Sequence, residues 1–304
     1  MNGRIVTMVL VGVLALSAGA TRALAFEESF VDVDNDGLWS DGDLPLAPFL
    51  DPEGYGFDAR FPQPGWVPRT HPVGIVVQGR TYFTGEFVDV TATGNIIVRG
   101  DVQAKGRDCR VTLETLGGDI TIEPNTRVKG SSDFVFEALF GGDIFVGAGA
   151  TLQTKGEQSE LGLKADGELV VESGTQIKIG GYYPWITLRG ADGVHLRPGV
   201  RIQGSSHSQI DVLSDADLDL IDVYLKAGYL RIQAQTSLRH PEAKRIHVVD
   251  SVLSQTYRNG DFRMWAQPAL GTTQYADDAI VLERSIVLTK EDLPLFLPEP
   301  TIVQ

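Results

Sequence analysis

Along the middle of the chain, apolar residues alternate with polar ones in short runs, and the runs recur in a cycle of three. One set is Ile96/Val98, Ile120/Ile122, Ile144/Val146, Leu169/Val171, Val194/Leu196 and Leu218/Leu220. A second is Val102/Ala104, Val128, Leu152, Ile177/Ile179, Val200/Ile202 and Val223/Leu225. The third is Val111/Leu113, Phe134/Phe136, Leu161/Leu163, Ile186/Leu188 and Ile210/Val212. Successive side chains of a strand point to opposite faces, so each run predicts a short strand with one apolar face. Turn formers separate the runs, among them Pro124-Asn125, Gly147-Ala148-Gly149, Ser173-Gly174 and Pro198-Gly199. No stretch of this region sustains a helical period.

Two glycine columns set the length of the cycle. Gly94, Gly118, Gly142, Gly167 and Gly193 follow one another at 24, 24, 25 and 26 residues, with Ala216 or Asp217 next in line. Gly106, Gly130, Gly156, Gly180, Gly204 and Gly228 keep nearly the same step. Three short strands in each unit of about two dozen residues describe one coil of a parallel β-helix. The predicted fold is therefore all-β: a single-stranded parallel β-helix with coils of about 24 residues and an irregular N-terminal cap. Its expected hand is right, the usual hand of parallel connections. An antiparallel sandwich also uses many short strands, but it does not repeat every third one. Six to eight coils would make a rod of roughly 30–40 Å at the normal spacing of paired strands.

The pattern divides the chain. Residues 73–230 carry the regular coils, and 231–304 carry irregular terminal coils and a tail. Ile246–Leu253 and Ile280–Leu288 read as further coil fragments, with Tyr257 to Asp278 as a longer loop between them. Residues 26–72, rich in Pro, Gly and aromatics from Pro45 onward, read as the cap that an exposed sheet edge requires. Residues 1–25 read as a secretory signal peptide. Arg4 precedes the apolar run from Ile5 to Ala18, and Ala23-Leu24-Ala25 offers the small-x-small cleavage site. That run is short for a membrane span, and no other run is long enough, so the mature chain is expected to lack one. The expected location is secreted: extracellular, cell-surface or periplasmic.

Charge and cysteine content narrow the functions. The 304 residues hold 26 Lys and Arg against 40 Asp and Glu, a formal charge of −14, which disfavours nucleic acid as a partner. A single cysteine, Cys109, excludes an internal disulfide and is expected to be a small buried hydrophobe.

Three constellations carry possible chemistry. The first is Asp32-Val33-Asp34-Asn35-Asp36-Gly37-Leu38-Trp39-Ser40-Asp41-Gly42-Asp43, which fits a calcium loop. Asp32, Asp34 and Asp36 at alternate positions can wrap one hard cation, and Gly37 permits the sharp turn. Leu38 would offer its carbonyl, Ser40 a direct or water-mediated contact, and Asp43 the closing carboxylate in place of the usual Glu. Because Leu44-Pro45 follows, a paired EF-hand is not expected, and Ca2+ would fasten the cap. The second is a ladder of Asn95, Asp119, Asp143 and Glu168 at equivalent positions of adjacent coils, with a column of Lys105, Lys129 and Lys155 expected nearby to offset its charge. The third is an aromatic and basic cluster of Tyr182, Tyr183, Trp185, Arg189, His195, Arg197, Arg201 and His207. Trp185, Arg189, His195 and Arg197 are expected to line one groove suited to an acidic sugar chain.

The units GGDITIEPNTRVKG (117–130) and GGDIFVGAGATLQTKG (141–156) resemble the coils of secreted bacterial β-helix proteins. Filamentous-haemagglutinin-like adhesins and pectate-lyase-like proteins share that architecture. The resemblance, over roughly Val73 to Leu288, implies a structural or adhesive protein of the cell surface or extracellular matrix, presenting a rigid surface to glycan or to further copies of itself. A calcium-dependent polysaccharide lyase and a self-assembling filament subunit are the alternatives. The Asn-Thr-Asp and Gly-His-Gly motifs of polygalacturonase-like hydrolases are absent, as are the paired Asn-Pro motifs of the haemagglutinin secretion domain, and no catalytic residue is assigned.

Overall fold

The computed structural model describes residues 30–33, 35–38, 43–45, 57–58, 73–83, 87–105, 109–130, 133–156, 158–256, 262–288 and 302–303. The expected signal peptide and most of the expected cap, including Asp34 and Ser40, lie outside the described residues. All regular structure among the described residues is β, and no helix there is long and apolar enough to cross a membrane.

Three sheets run along the molecule, and the chain visits them in turn. The coil made by Ile144–Val146, Thr151–Lys155 and Glu160–Ala165 is typical. Its first strand belongs to sheet 1, its second to sheet 2 and its third to sheet 3, which hold twelve, nine and nine strands. Each strand pairs in parallel with its equivalents one coil below and above, as Ile144 does with Ile120 and Leu169. Paired positions in sheet 1 are 24 or 25 residues apart from Ile96 to Leu218, then 28 apart at Leu218–Ile246 and 34 at Ile246–Ile280. The predicted parallel β-helix is thus the fold.

Stacking explains the alternation. Ile75, Ile96, Ile120, Ile144, Leu169, Val194, Leu218, Ile246 and Ile280 form one inward column of sheet 1, all buried. β-Branched side chains suit such columns because they pack well on a pleated surface. The glycine column at the corner before sheet 1 has a different cause. A Cβ on Gly142 would strike the carbonyl oxygen of Gly118, and one on Gly118 would strike the backbone of Gly94. At Gly118 and Gly142 the coils approach too closely for any side chain, whereas Gly193 is in register with Glu168 and stands outside this column.

Polar side chains tie coil to coil beside that column. Asn95 Oδ1 accepts from the Asp119 amide (2.9 Å), Asp119 Oδ1 from Asp143 (2.9 Å), and Asp143 Oδ1 from Glu168 (2.7 Å). From Asn95 to Asp143 the expected carboxylate ladder is therefore a chain of backbone caps, each bonded to the amide one coil on and ending at the Glu168 amide. Its expected compensating lysines are elsewhere: Lys129 and Lys155 belong to sheet 2, and Lys105, just past a sheet 2 strand, lies over the Tyr82 ring at 3.6 Å. In the last coils both senses occur: Asp217 Oδ1 still accepts from the later Arg245 amide (2.9 Å), while at another corner the sense reverses. Ser251 Oγ accepts from the Val223 amide, and Ser285 Oγ from Ser251, both at 3.1 Å.

The first coil is capped by an antiparallel strand. Phe30–Asp32 pairs with Gly74–Val77, and Leu44–Pro45 pairs with its other edge. The segment 257–278, expected as a loop, contributes the strand Arg263–Ala266 to sheet 3. Met264 and Ala266 face the core there, and one such pair is too brief to stand out as a pattern.

Candidate functional site

The outer face of sheet 3 carries an aromatic cleft. Trp185 begins the strand Trp185–Gly190 and points outward, registered with Glu160 one coil below and Gln209 one coil above. Tyr229 follows Gln209 in the same column. Beside this column lies Asp211, which is outward yet only 2% exposed. Trp185 Nε1 donates to Asp211 Oδ2 at 3.0 Å, so the indole is tethered across two coils. Arg231 donates from Nε (3.1 Å) and Nη2 (2.7 Å) to the two carboxylate oxygens, a fork that fits a carboxylate. Gln209 Nε2 adds bonds of 3.0 Å to both oxygens. Burial of this charge is tolerable because every side of it receives a donor.

The corner leading into sheet 3 supplies the wall. Tyr182, Tyr183 and His207 cluster, with ring centroids 4.4 Å apart for the two tyrosines and 5.9 Å for Tyr183 and His207. Gln158 and Tyr183 both hold left-handed backbone, at φ 58 and φ 59. Neither residue type favours that region, and such strain concentrates where a side chain must be aimed. The Gln158 amide donates to the Tyr182 carbonyl at 3.0 Å, which fastens one corner to the next. Between wall and sheet lies a cleft of about 400 Å³. Trp185 (48% exposed) and Tyr183 (55%) offer flat faces to it. Gln158, Glu160 and Gln209 line it with groups able to donate to and accept from hydroxyls.

No protein-family model, curated protein or solved structure matches the chain.

Of the four residues expected in one groove, the structure places only Trp185 at the cleft. Arg189 shares its strand but lies four residues on, in the column of Lys164 and Leu213, with Nη2 3.0 Å from Asp215. His195 points outward from sheet 1, and Arg197 is exposed just beyond that strand. Arg201 is on sheet 2. The grouping fails because the chain turns the corner at Gly190 to Gly193, so neighbours along one coil face different directions. Tyr183 and His207 of the expected cluster do line the cleft with Trp185, whereas Gln158, Glu160, Gln209 and Tyr229 carry no motif that marks them in the sequence. Glu160 and Gln209 lie one coil away on either side, and that step, applied from Trp185, would have reached them.

On sheet 1, His195 Nδ1 lies 3.2 Å from Asp219 Oδ2, and His247 follows Asp219 in the same column. The hydrogen bond to Asp219 raises the His195 pKa, with Asp219 and Glu168 adding charge attraction against burial and Arg197. The same bond lowers the pKa of Asp219. Cys109 is buried as expected, and burial pushes its thiol pKa up.

In the acidic loop, the described carboxylates meet backbone amides. Asp32 accepts from Asp36 (3.2 Å) and Gly37 (2.6 Å), and Asp43 accepts from Val33 (2.8 Å). Asp36 Oδ1 accepts from Leu38 (2.7 Å) in a tight turn, with Gly37 at φ 78. Two further bonds dock this loop on the coils: Asn35 Oδ1 accepts from the Asn95 amide (2.7 Å), and the Gly37 carbonyl from Arg99 (3.2 Å). Among the described residues no group of three or more His, Cys, Asp or Glu is arranged to hold a metal.

Proposed function

We propose that this protein is an exported, non-enzymatic β-helix of a cell surface or extracellular matrix, and that it seats a glycan in the cleft of sheet 3. The observation that carries this reading is Trp185: nearly half exposed, yet tethered by Asp211, with Tyr183 and His207 beside it. A flat aromatic face held in place gains by being covered, and a sugar's C–H face can cover it while its hydroxyls meet the amides and carboxylate around it. The leader-like first 25 residues support export. The resemblance of the coils to adhesins supports the surface role. The spacing of Asp32, Asp34, Asp36, Leu38, Ser40 and Asp43 supports Ca2+ as the fastening of the N-terminal cap.

The test is co-sedimentation and native affinity electrophoresis with a panel of neutral and acidic polysaccharides, with new chain ends recorded in parallel. At least one polymer is expected to retard the protein without being cleaved. Trp185→Ala should weaken that binding at least tenfold in protein that is still folded at the assay temperature, its melting temperature lowered only by the lost bond to Asp211. New chain ends would replace this reading with the lyase. Retardation by none of the polymers, or an unaffected Trp185→Ala variant, would remove the cleft as a glycan seat.

A further inference from the structure

We propose that the outer face of sheet 2 is a second, independent surface, which docks a linear carboxylated polysaccharide lying along the rod. One outward column of this sheet reads Gln103, Lys129, Gln153, Lys178, Gln203, Lys226, each registered with the next. Lysine thus recurs on every second coil, at about 9.6 Å for two strand spacings. In the adjoining outward column stand Arg80, Arg127 and Arg201, with Asp101 as its single acid.

These six cations share two further properties. None forms an ion pair among the described residues; Lys178 Nζ donates instead to the neutral Gln176 at 2.8 Å. On sheet 3, by contrast, Lys164 pairs with Glu137, Arg189 with Asp215 and Arg231 with Asp211. The second property is their sign, since the chain as a whole carries −14. A polyanion is repelled by the average field of this protein and attracted only where the sign inverts, so this face orients it.

The spacing selects among polyanions. A charge on every second coil is comparable to the advance of two linked pyranose rings, so a polymer of alternating acidic and neutral sugars would meet a lysine at each carboxylate. The glutamine between two lysines would face the neutral sugar, offering both a donor and an acceptor to its hydroxyls. Duplex DNA places a charge about every 1.7 Å of its length, far denser than this column. Alternation also keeps neighbouring lysines from lying directly opposite, which would be destabilising.

Hyaluronan, in which glucuronate alternates with an N-acetylated sugar, is the probe. The full chain is expected to bind it at low salt and to lose affinity as salt rises. Changing Lys129, Lys178 and Lys226 together to Gln completes an all-glutamine column, a residue the column already carries, so the fold should hold. That variant should bind hyaluronan at least tenfold more weakly, while Lys164→Gln, a lysine lost from sheet 3 instead, binds it as wild type does. Loss in Trp185→Ala alone would assign the polymer to the sheet 3 cleft and overturn the proposal. So would equal binding by the triple variant, no binding by wild type, or equal affinity for duplex DNA or anionic vesicles at matched ionic strength. Lysine-dependent self-association without hyaluronan binding would also overturn it, giving the face to a second copy of the chain.

Discussion

Asp211 shows how a single outward residue becomes structural. Only 2% of it is exposed, and its two oxygens gather donors from Trp185, Gln209 and Arg231 on three successive coils. Removing the carboxylate strands those donors, and hydrogen bonds to charged groups are worth about 1.5–3 kcal/mol. Asp211→Ala is therefore expected to cost about 2 kcal/mol in urea unfolding and to shift the fluorescence of the released Trp185 to longer wavelength. Asp211→Asn keeps one acceptor oxygen and should lose less. Unfolding curves and spectra identical to wild type in the alanine variant would mean that the indole is held by packing alone.

At the scale of the strand, an outward column sets local chemistry. On sheet 1 the column runs from Phe145 and Val170 to His195, Asp219 and His247, changing from apolar to titratable midway. His195 has a pKa raised above 6.5, so its pairing adds stability that is complete below that value and fades as pH climbs through the folded pKa. Asp219 has a pKa held below 3.8, so its share is present above 3.8 and fades as pH falls through its folded value. The pair thus contributes fully between about pH 4 and 6.5. Both side chains are partly exposed, which limits the effect to under about 1 kcal/mol. His195→Gln should flatten the decline in urea midpoint that wild type shows above pH 6.5; parallel declines would rule the pair out as its source.

The strands also show why fold and site differ in legibility. The inward residues carry two periods at once, two within a run and about 24 between runs, and buried columns such as Ile96, Ile120 and Ile144 satisfy both. The strand Arg263–Ala266 has only Met264 and Ala266 inward and sits in the coil stretched to 34 residues, so neither period marks it. Outward residues answer to solvent rather than to a core, and their types vary along a column. Trp185 was visible through its aromatic neighbours. Asp211 and Tyr229 look like ordinary strand residues until the register sets them beside it.

For the whole molecule, stability depends on neighbours and on ends. Each coil contacts the coils on either side, so the terminal edges are where the stack would open first. The antiparallel strand Phe30–Asp32 covers one of them, and the acidic loop that follows is pinned to Asn95 and Arg99. A ligand that binds only the folded loop adds stability by mass action. Chelating calcium should therefore lower the wild-type melting temperature by a few degrees, while an Asp34→Ala variant, already less stable, should not respond. Equal shifts in both proteins would take calcium out of the cap.

The ladder of caps also gives the rod a direction in time. Asn35, Asn95, Asp119 and Asp143 each hold out an oxygen to an amide that is synthesised later. A chain emerging N-terminus first, from a ribosome or through a pore, can lay each new coil on a finished one whose acceptor is already waiting. The last coils mix the two senses: Asp217 still holds out an oxygen to the later Arg245 amide, but the amides of Val223 and Ser251 must wait for Ser251 and Ser285. These caps favour laying the coils down in order, and the corner at Val223 and Ser251 is fastened only once Ser251 and Ser285 have arrived.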